Sequence, residues 1–588
     1  MPSSTTLNEE IGGPSREGNI RSAARVEVGK SGVGTRPDES SDRTDVLLIG
    51  FEGQENLGLR SVAAFLEREG IGVDIIPLDS TRTDELLRRI RLANPRIIGL
   101  SLIFQRMRED YAALIGHLRE QGVTAHLTVG GHYPTFEYES MLSSIPGLDT
   151  VVRYEGEETL LELVRQLDRP KSWPSIKGLA FRSNSQILAT PLRPLIADLD
   201  SLPFPVRNPD GATHRGIGIR SIAGSRGCYY DCTFCSIHEF YRRQGPTRRT
   251  RSPAHLVREI QMLYHDLGAR IFVFQDDDVF MRGRAHREWL ESFLAELEAR
   301  SLSDRILWRV SCRVDDVDAG LLRSMKAAGL SSVYLGIESG CEQGLKTFNK
   351  HYGVADILAT LAILKQSEMP FEFGFMLFEP YSTLGTIREN IDFLGKIGQY
   401  GNSLVHFCKM SPYAGTPIAR QLAAEGRLEG TQACPDYRFL DPRLDLLQTF
   451  CSQTFNFRNF DDHGLVERLR FAKFDTSVVA KFFPDDFDHR KYQESLGELI
   501  HLSNESALET MSLAAHFVES HDLEQVMNHW EVLQDLSEQQ SCIDRQISAG
   551  LDQLMAEYGF EASVGSGKGR TRFWPPEVNA SARVATNA

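Results

Sequence analysis

The chain has 588 residues, of which 41% are hydrophobic and 25% charged, enough for several domains with cores of their own. No apolar run approaches the roughly 18–20 residues of a membrane span, which excludes membrane insertion by a helix. Lys plus Arg total 65 against 80 Asp plus Glu, and the resulting charge of −15 opposes association with a phosphate backbone, so nucleic acid is excluded as a partner.

Residues 1–43 are rich in Ser, Gly, Arg and Glu and contain no apolar signal core, so a disordered leader is expected there. From Asp45 the pattern changes. Asp45–Gly50 is a short apolar run of the kind a buried parallel strand requires, and Leu59, Val62, Ala63 and Leu66 then recur at helical spacing up to Gly70. Strands are predicted again at 73–77, 96–103, 124–129 and 150–152, with helical stretches between them and a last helix over 156–167. This alternation predicts a doubly wound parallel sheet of about five strands over 44–170, with ligands at the carboxyl ends of the strands. Three loops lie there: Gly53–Gly58, Ser101–Gln105, and Gly130-Gly131-His132-Tyr133-Pro134-Thr135. Paired glycines permit close approach of a ligand to the backbone, though a Gly-Gly turn equally serves a tight strand-to-helix connection. Residues 171–216, with Trp173-Pro174, Leu202-Pro203 and Phe204-Pro205, read as a connector.

A second βα series occupies 217–430, with strands expected near 217–223, 270–275, 306–311, 332–337, 371–377 and 403–409. Six units of this kind suit a partial (β/α)6 barrel with its site at the C-terminal ends of the strands. After the first strand come Cys228, Cys232 and Cys235, spaced Cys-x3-Cys-x2-Cys. Thiolates are soft ligands suited to zinc or to an iron-sulfur cluster. His238 could complete a zinc site of three thiolates and one imidazole, in a non-enzymatic scaffold module. A cubane cluster on three cysteines would instead keep one iron open. No cysteine precedes Cys228, and nine in all, mostly isolated, fit a reducing cytoplasm better than a disulfide framework.

The cysteine spacing resembles the signature of the radical S-adenosylmethionine (SAM) superfamily, in which a [4Fe-4S] cluster binds SAM through its open iron. That resemblance implies that Cys228, Cys232 and Cys235 hold the cluster and that Phe234 packs near the adenine. It also places Asp276, in Asp276-Asp277-Asp278 after the second strand, near the SAM amino group. Arg313 would hold its carboxylate. Leu335-Gly336-Ile337-Glu338-Ser339 resembles the family segment in which Glu338, beside Gly336, reaches the ribose, and Pro412–Pro417 resembles the turn after the sixth strand in cobalamin-type members. Two departures, Tyr229 in place of the common proline and the Phe378–Ser382 turn, put the substrate class in doubt more than the cofactors.

Residues 45–168 resemble the cobalamin-binding domain that precedes the SAM domain in one large class of these enzymes. By that resemblance Gly53, Ser101, Gly130, Gly131, His132, Gly156 and Glu157 line the cobalamin site. The Asp-x-His-x-x-Gly motif is absent between 45 and 170, and the resemblance implies a cobalt with no histidine below it, its lower position open or water-bound. The resemblance implies a C-methyltransferase acting on an unactivated carbon of a small molecule, in natural-product biosynthesis of an antibiotic type. Flavodoxin or ferredoxin would be the electron donor. Cyclisation, rearrangement or oxidation without methyl transfer uses the same cofactors. No catalytic residue is singled out, and Tyr241, Arg242 and His406 are candidates for contact with the substrate. Residues 431–560 read as a helical domain, with helices over Tyr492–Leu502, Ala507–Glu519 and Leu523–Tyr558. Gly565–Gly569 lacks the Walker A spacing and opens a flexible tail, 561–588.

Overall fold

A computed structural model describes residues 44–79, 82–400, 403–484 and 488–558. The expected leader at 1–43 and the expected tail at 561–588 lie outside these residues.

The first sheet contains β1 (Val46–Gly50), β2 (Val73–Pro77), β3 (Ile97–Ser101), β4 (His126–Gly130), β5 (Thr150–Val152), β6 (Leu179–Ser183) and β7 (Gln186–Ala189), in the order β2-β1-β3-β4-β5-β6-β7. The first five are parallel, as the sequence predicts, and β6 and β7 add antiparallel strands at one edge. The period-2 alternation of β1 divides its side chains between two cores. Val46 and Leu48 pack with Leu59, Leu66 and Leu163, while Leu47 and Ile49 pack with Ile90, Leu114 and Ile115. Helices therefore cover both faces, which is why β1 can be apolar at every position.

The hairpin β6–β7 corrects the reading of 171–216 as a connector alone. Leu179-Ala-Phe-Arg-Ser183 and Gln186-Ile-Leu-Ala189 flank Asn184, which takes a left-handed φ of 54° at the turn.

The second sheet begins with the short β8 (Thr213–His214), antiparallel to β9 (Ile217–Ile222). A separate hairpin follows, β10 (Ser225–Gly227) with β11 (Arg248–Thr250). Then come β12 (Ala269–Phe274), β13 (Leu307–Cys312), β14 (Leu330–Glu338), β15 (Phe371–Phe378) and β16 (Cys408–Lys409). The order β16-β15-β14-β13-β12-β9-β8 gives the six parallel strands of a partial barrel. Phe272 and Phe274 join Leu290, Phe293 and Trp308 beneath the covering helices. Ile271 and Val273 instead join Ile219, Leu307 and Val478, so a helix of the C-terminal region, Leu465–Phe482, packs on the other face.

The sixth strand is shorter than the predicted 403–409. Asn504 accounts for it: its side-chain amide donates to Ser403 O at 2.8 Å and accepts from Val405 N at 2.8 Å, taking the place of a neighbouring strand. Two helix boundaries also move. His489–Ser520 is one helix of 32 residues where two were expected, and the stretch from Leu523 divides at His529 into Leu523–Asn528 and Trp530–Glu557.

Candidate functional site

The three cysteines occupy the loop that follows β10, and the fold holds this loop at several points. Gly224 N and the Ser225 hydroxyl both donate to the Asp276 carboxylate, which pins the turn out of β9 against the end of β12. Thr233 donates from its backbone to Phe348 O at 3.2 Å and from its hydroxyl to Thr347 O at 2.7 Å, and its carbonyl accepts from Ile418 N at 3.1 Å. Cys235 N donates to Cys232 O at 3.1 Å, and Cys235 opens the helix Ser236–Tyr241. Cys232 is buried, whereas Cys228 and Cys235 are half-buried. Burial first, then Asp278, pushes the Cys228 thiol up to about 12. A bound metal reverses that preference by favouring the thiolate.

Cationic groups stand beside the loop. Arg313 Nη1 lies 3.6 Å from Cys232 Sγ, and its guanidinium stacks 3.6 Å from the Tyr230 ring centre and pairs with Asp315 at 3.0 Å. Lys350 is buried near Phe234, whose ring meets Phe348 at 5.2 Å. An apolar ring, two cations and three thiols fit an anionic cluster with an adenosyl ligand. Among the described residues, no three His, Cys, Asp or Glu side chains gather closely enough to hold a single metal ion. His238 Nδ1 is buried with no hydrogen-bond partner.

Glu338 ends β14 at φ 67°, a strained value for this side chain. The neighbouring glycines make room for its carboxylate. A Cβ on Gly336 would stand 3.0 Å from Glu338 Oε1, and one on Gly374 would stand 3.1 Å from Glu338 Oε2 and 2.7 Å from the Tyr334 hydroxyl.

Asp276 has a different part from the one its motif implies: both oxygens serve Gly224 and Ser225, so it shapes the cluster loop. Asp278 is fully buried, and burial followed by the nearby Asp316 holds its pKa well above the ordinary carboxyl range. Asp316 in turn accepts the Tyr230 hydroxyl at 2.8 Å.

In the first sheet, Gly131 has φ 123° and ψ −175°, a conformation essentially confined to glycine, and a Cβ there would lie 2.3 Å from Leu102 O. Gly130 has a Cβ position 3.3 Å from Val152 O. Ser101 Oγ accepts from Asn56, which also caps the helix Leu57–Arg68. In both glycines the missing side chain makes room for a neighbouring backbone carbonyl, so they set the close packing of the turn after β4 against the ends of β3 and β5. Gly53 lines a cavity of about 490 Å³ together with Glu52, Glu55, Arg207 and Ser221. His132 meets Phe240 at 4.5 Å, which joins the Gly-Gly turn to the helix after Cys235.

Gly156 lies at the start of the helix Glu157–Gln166, and Glu157 is committed elsewhere. Its carboxylate accepts from Arg226 Nη2 at 2.7 Å, while Glu155 accepts from Arg226 Nη1 at 3.0 Å and Arg249 Nη2 at 2.8 Å. These pairs fasten the first sheet to the β10–β11 hairpin. Gln105 adds a second tie, donating to Gln432 O at 2.7 Å and accepting from Ala414 N at 2.9 Å. Sequence spacing gave no signal for either link.

Of the three candidates for substrate contact, Tyr241 is buried, with its ring centre 5.4 Å from the Arg249 guanidinium, and Arg242 pairs with Glu239 at 3.0 Å. His406 is buried against Phe373 at 5.0 Å, and burial pushes its pKa down to about 4.

Residues 50–164 match the B12 binding domain, and residues 222–394 match the radical SAM superfamily. The anaerobic magnesium-protoporphyrin IX monomethyl ester cyclase of Cereibacter sphaeroides is 29% identical over 303 residues, 50% of this chain and 48% of the cyclase. An uncharacterised methyltransferase of Pyrococcus horikoshii is 25% identical over 399 residues, 66% of this chain and 83% of that protein. The cytidylyl-2-hydroxyethylphosphonate methyltransferase of Streptomyces wedmorensis is 25% identical over 430 residues, 63% and 78% respectively. The fold is shared with the cobalamin-dependent SAM radical enzyme OxsB, at a TM-score of 0.64 and 16% identity over 89% of this chain and 84% of that one. The chain carries a B12 binding domain and a radical SAM domain, and its cofactors are cobalamin, SAM and a [4Fe-4S] cluster. None of its described helices is long and apolar enough to cross a membrane.

Proposed function

We propose that this enzyme transfers a methyl group to an unactivated carbon of a small molecule in natural-product biosynthesis, drawing electrons from a flavodoxin or ferredoxin. The observation that carries this reading is the extent of its matches. Methyltransferase relatives align over 83% and 78% of their own length, whereas the cyclase aligns over 48%. A carbon with neither acidity nor a lone pair cannot be methylated by polar attack on SAM, which gives the two-cofactor architecture its purpose. When bound, SAM and the cluster supply a radical that takes a hydrogen atom, and cobalamin supplies the methyl group.

The protein residues bind and orient. Cys228, Cys232 and Cys235 hold the cluster, and the Thr233 contacts keep their loop fixed against Phe348 and Ile418. Phe234 offers an apolar face to the adenine. Glu338, kept in place by its strained backbone and the space above Gly336 and Gly374, accepts hydrogen bonds from the ribose hydroxyls. Arg313, beside Cys232, faces the carboxylate end of SAM, and Asp276 acts through the loop it pins. The Gly130-Gly131 turn, with Ser101, His132 and Gly53, would hold the cobalamin. Gly156 and Glu157 support this domain from behind the Arg226 ion pairs. The domain ties through Gln105 and Arg226 help to exclude water.

A second reading, ring closure or oxidation without methyl transfer, has the cyclase match at 29% identity in its favour. Methyl-labelled SAM separates the two when given to the reduced enzyme carrying cluster and cobalamin. Methyl transfer predicts S-adenosylhomocysteine and label in the cobalamin fraction before any substrate is added. Formation of 5′-deoxyadenosine with neither of these products supports the second reading and sinks the first.

A further inference from the structure

Lys350 lies between the helices Glu342–Thr347 and Val354–Gln366, and its residue is only 3% exposed. Its Nζ is 3.5 Å from Glu338 Oε1, 5.7 Å from the centre of the Phe234 ring and 5.6 Å from that of Tyr352. A Cβ on Gly336 would come within 3.4 Å of this nitrogen, so the ammonium lies over the Gly336 backbone. The main chain is fixed on both sides. Lys350 N donates to Leu345 O at 3.0 Å, and Lys350 O accepts from Arg313 Nη2, whose other Nη lies near Cys232. The Tyr352 hydroxyl donates to Gly336 O at 2.6 Å. Burial disfavours a charged lysine. Here the Glu338 carboxylate 3.5 Å away offsets that burial and favours the ammonium.

We infer that Lys350 is a positioning residue of the SAM site, acting on both the adenosyl ligand and the cluster. It holds the Glu338 carboxylate aimed at the ribose, and its positive charge, tied through its carbonyl to the Arg313 guanidinium that reaches Cys232, raises the reduction potential of the cluster. The inference rests on the assignment of Cys232 and Glu338 given above. Nearby charge is one of the levers that set such a potential, and a positive charge favours the reduced form.

The test is a redox titration of the anaerobically loaded enzyme followed by electron paramagnetic resonance, with a SAM titration on the same samples. Lys350→Met is expected to move the midpoint to a more negative potential and to weaken SAM binding by about tenfold or more. Lys350→Arg, which keeps the charge, should restore the midpoint. Glu338→Gln, which leaves the ammonium uncompensated, should move it in the positive direction. Wild-type values for both quantities in Lys350→Met overturn the inference. Should that variant take no cluster, the other two decide, and a midpoint in Glu338→Gln equal to or below wild type overturns it. A wild type that takes no cluster, or whose signal ignores SAM, overturns the site assignment and this inference with it. A wild type that loads and responds while the variants do not differ from it overturns the inference alone.

Discussion

Gly131→Ala puts the cobalamin cradle under its most direct strain. The residue sits at φ 123° and ψ −175°, and an added Cβ would lie 2.3 Å from Leu102 O and 2.8 Å from Leu102 C. The obstructing atoms are backbone, which no rotamer change can move aside. The conformational penalty is about 1–3 kcal/mol, and relieving the overlap adds to it, so a loss of about 2–4 kcal/mol is expected. That is less than the stability of an ordinary domain, so the variant should fold with a displaced 130–135 turn. Gly156→Ala is the matched control, with φ −92° and nearest atoms at 3.5 Å, and should change stability by no more than about 0.5 kcal/mol. Denaturant unfolding of the apoprotein and cobalamin titration of the refolded chain measure both effects. The cradle account requires weaker cobalamin binding in Gly131→Ala alone. Equal stability and equal affinity in the two variants would refute it.

Glu379 follows β15 with its residue 2% exposed, and burial raises its pKa from 4.5 to about 7. The unfolded chain ionises first as pH rises, so Glu379 costs the fold up to ~3 kcal/mol above pH 7 and nothing below 4.5. Glu379→Gln should therefore be the more stable protein at pH 8.5 and equal to wild type near pH 4.5; parallel stability curves would contradict this. Removing Arg226 leaves the Glu157 side chain, 3% exposed, without its partner at 2.7 Å. Arg226→Met should cost about 3–5 kcal/mol in denaturant unfolding, with part recovered in the double variant with Glu157→Gln. A loss below about 1 kcal/mol would show that this pair does not fasten the domains.

The βα alternation was legible because each buried strand is a short apolar run bounded by glycine or a polar turn, and the cysteine loop because its ligands are adjacent in sequence. Asn184-Ser185 between Leu179–Ser183 and Gln186–Ala189 is a hairpin signal that the surrounding prolines obscured. Longer-range relations leave no such trace. The role of Asp276 depends on a turn about fifty residues upstream, and the Arg226 pairs join residues about seventy apart. Lys350 lies in Asn-Lys-His-Tyr, a segment with no recognisable spacing, and only the return of the chain beneath β14 brings it to Glu338. Asn504 shortens the sixth strand from almost a hundred residues away. The sequence period determines which face of an element is buried, but a side chain borrowed from another domain can end that element early.

The most direct test of the account is the metal content and SAM response of the anaerobically purified protein. The cluster assignment predicts about four irons per chain and a reduced-state paramagnetic signal that shifts when SAM is added, with both lost in Cys232→Ala. Zinc in place of iron, or an iron signal indifferent to SAM and retained in Cys232→Ala, would contradict it.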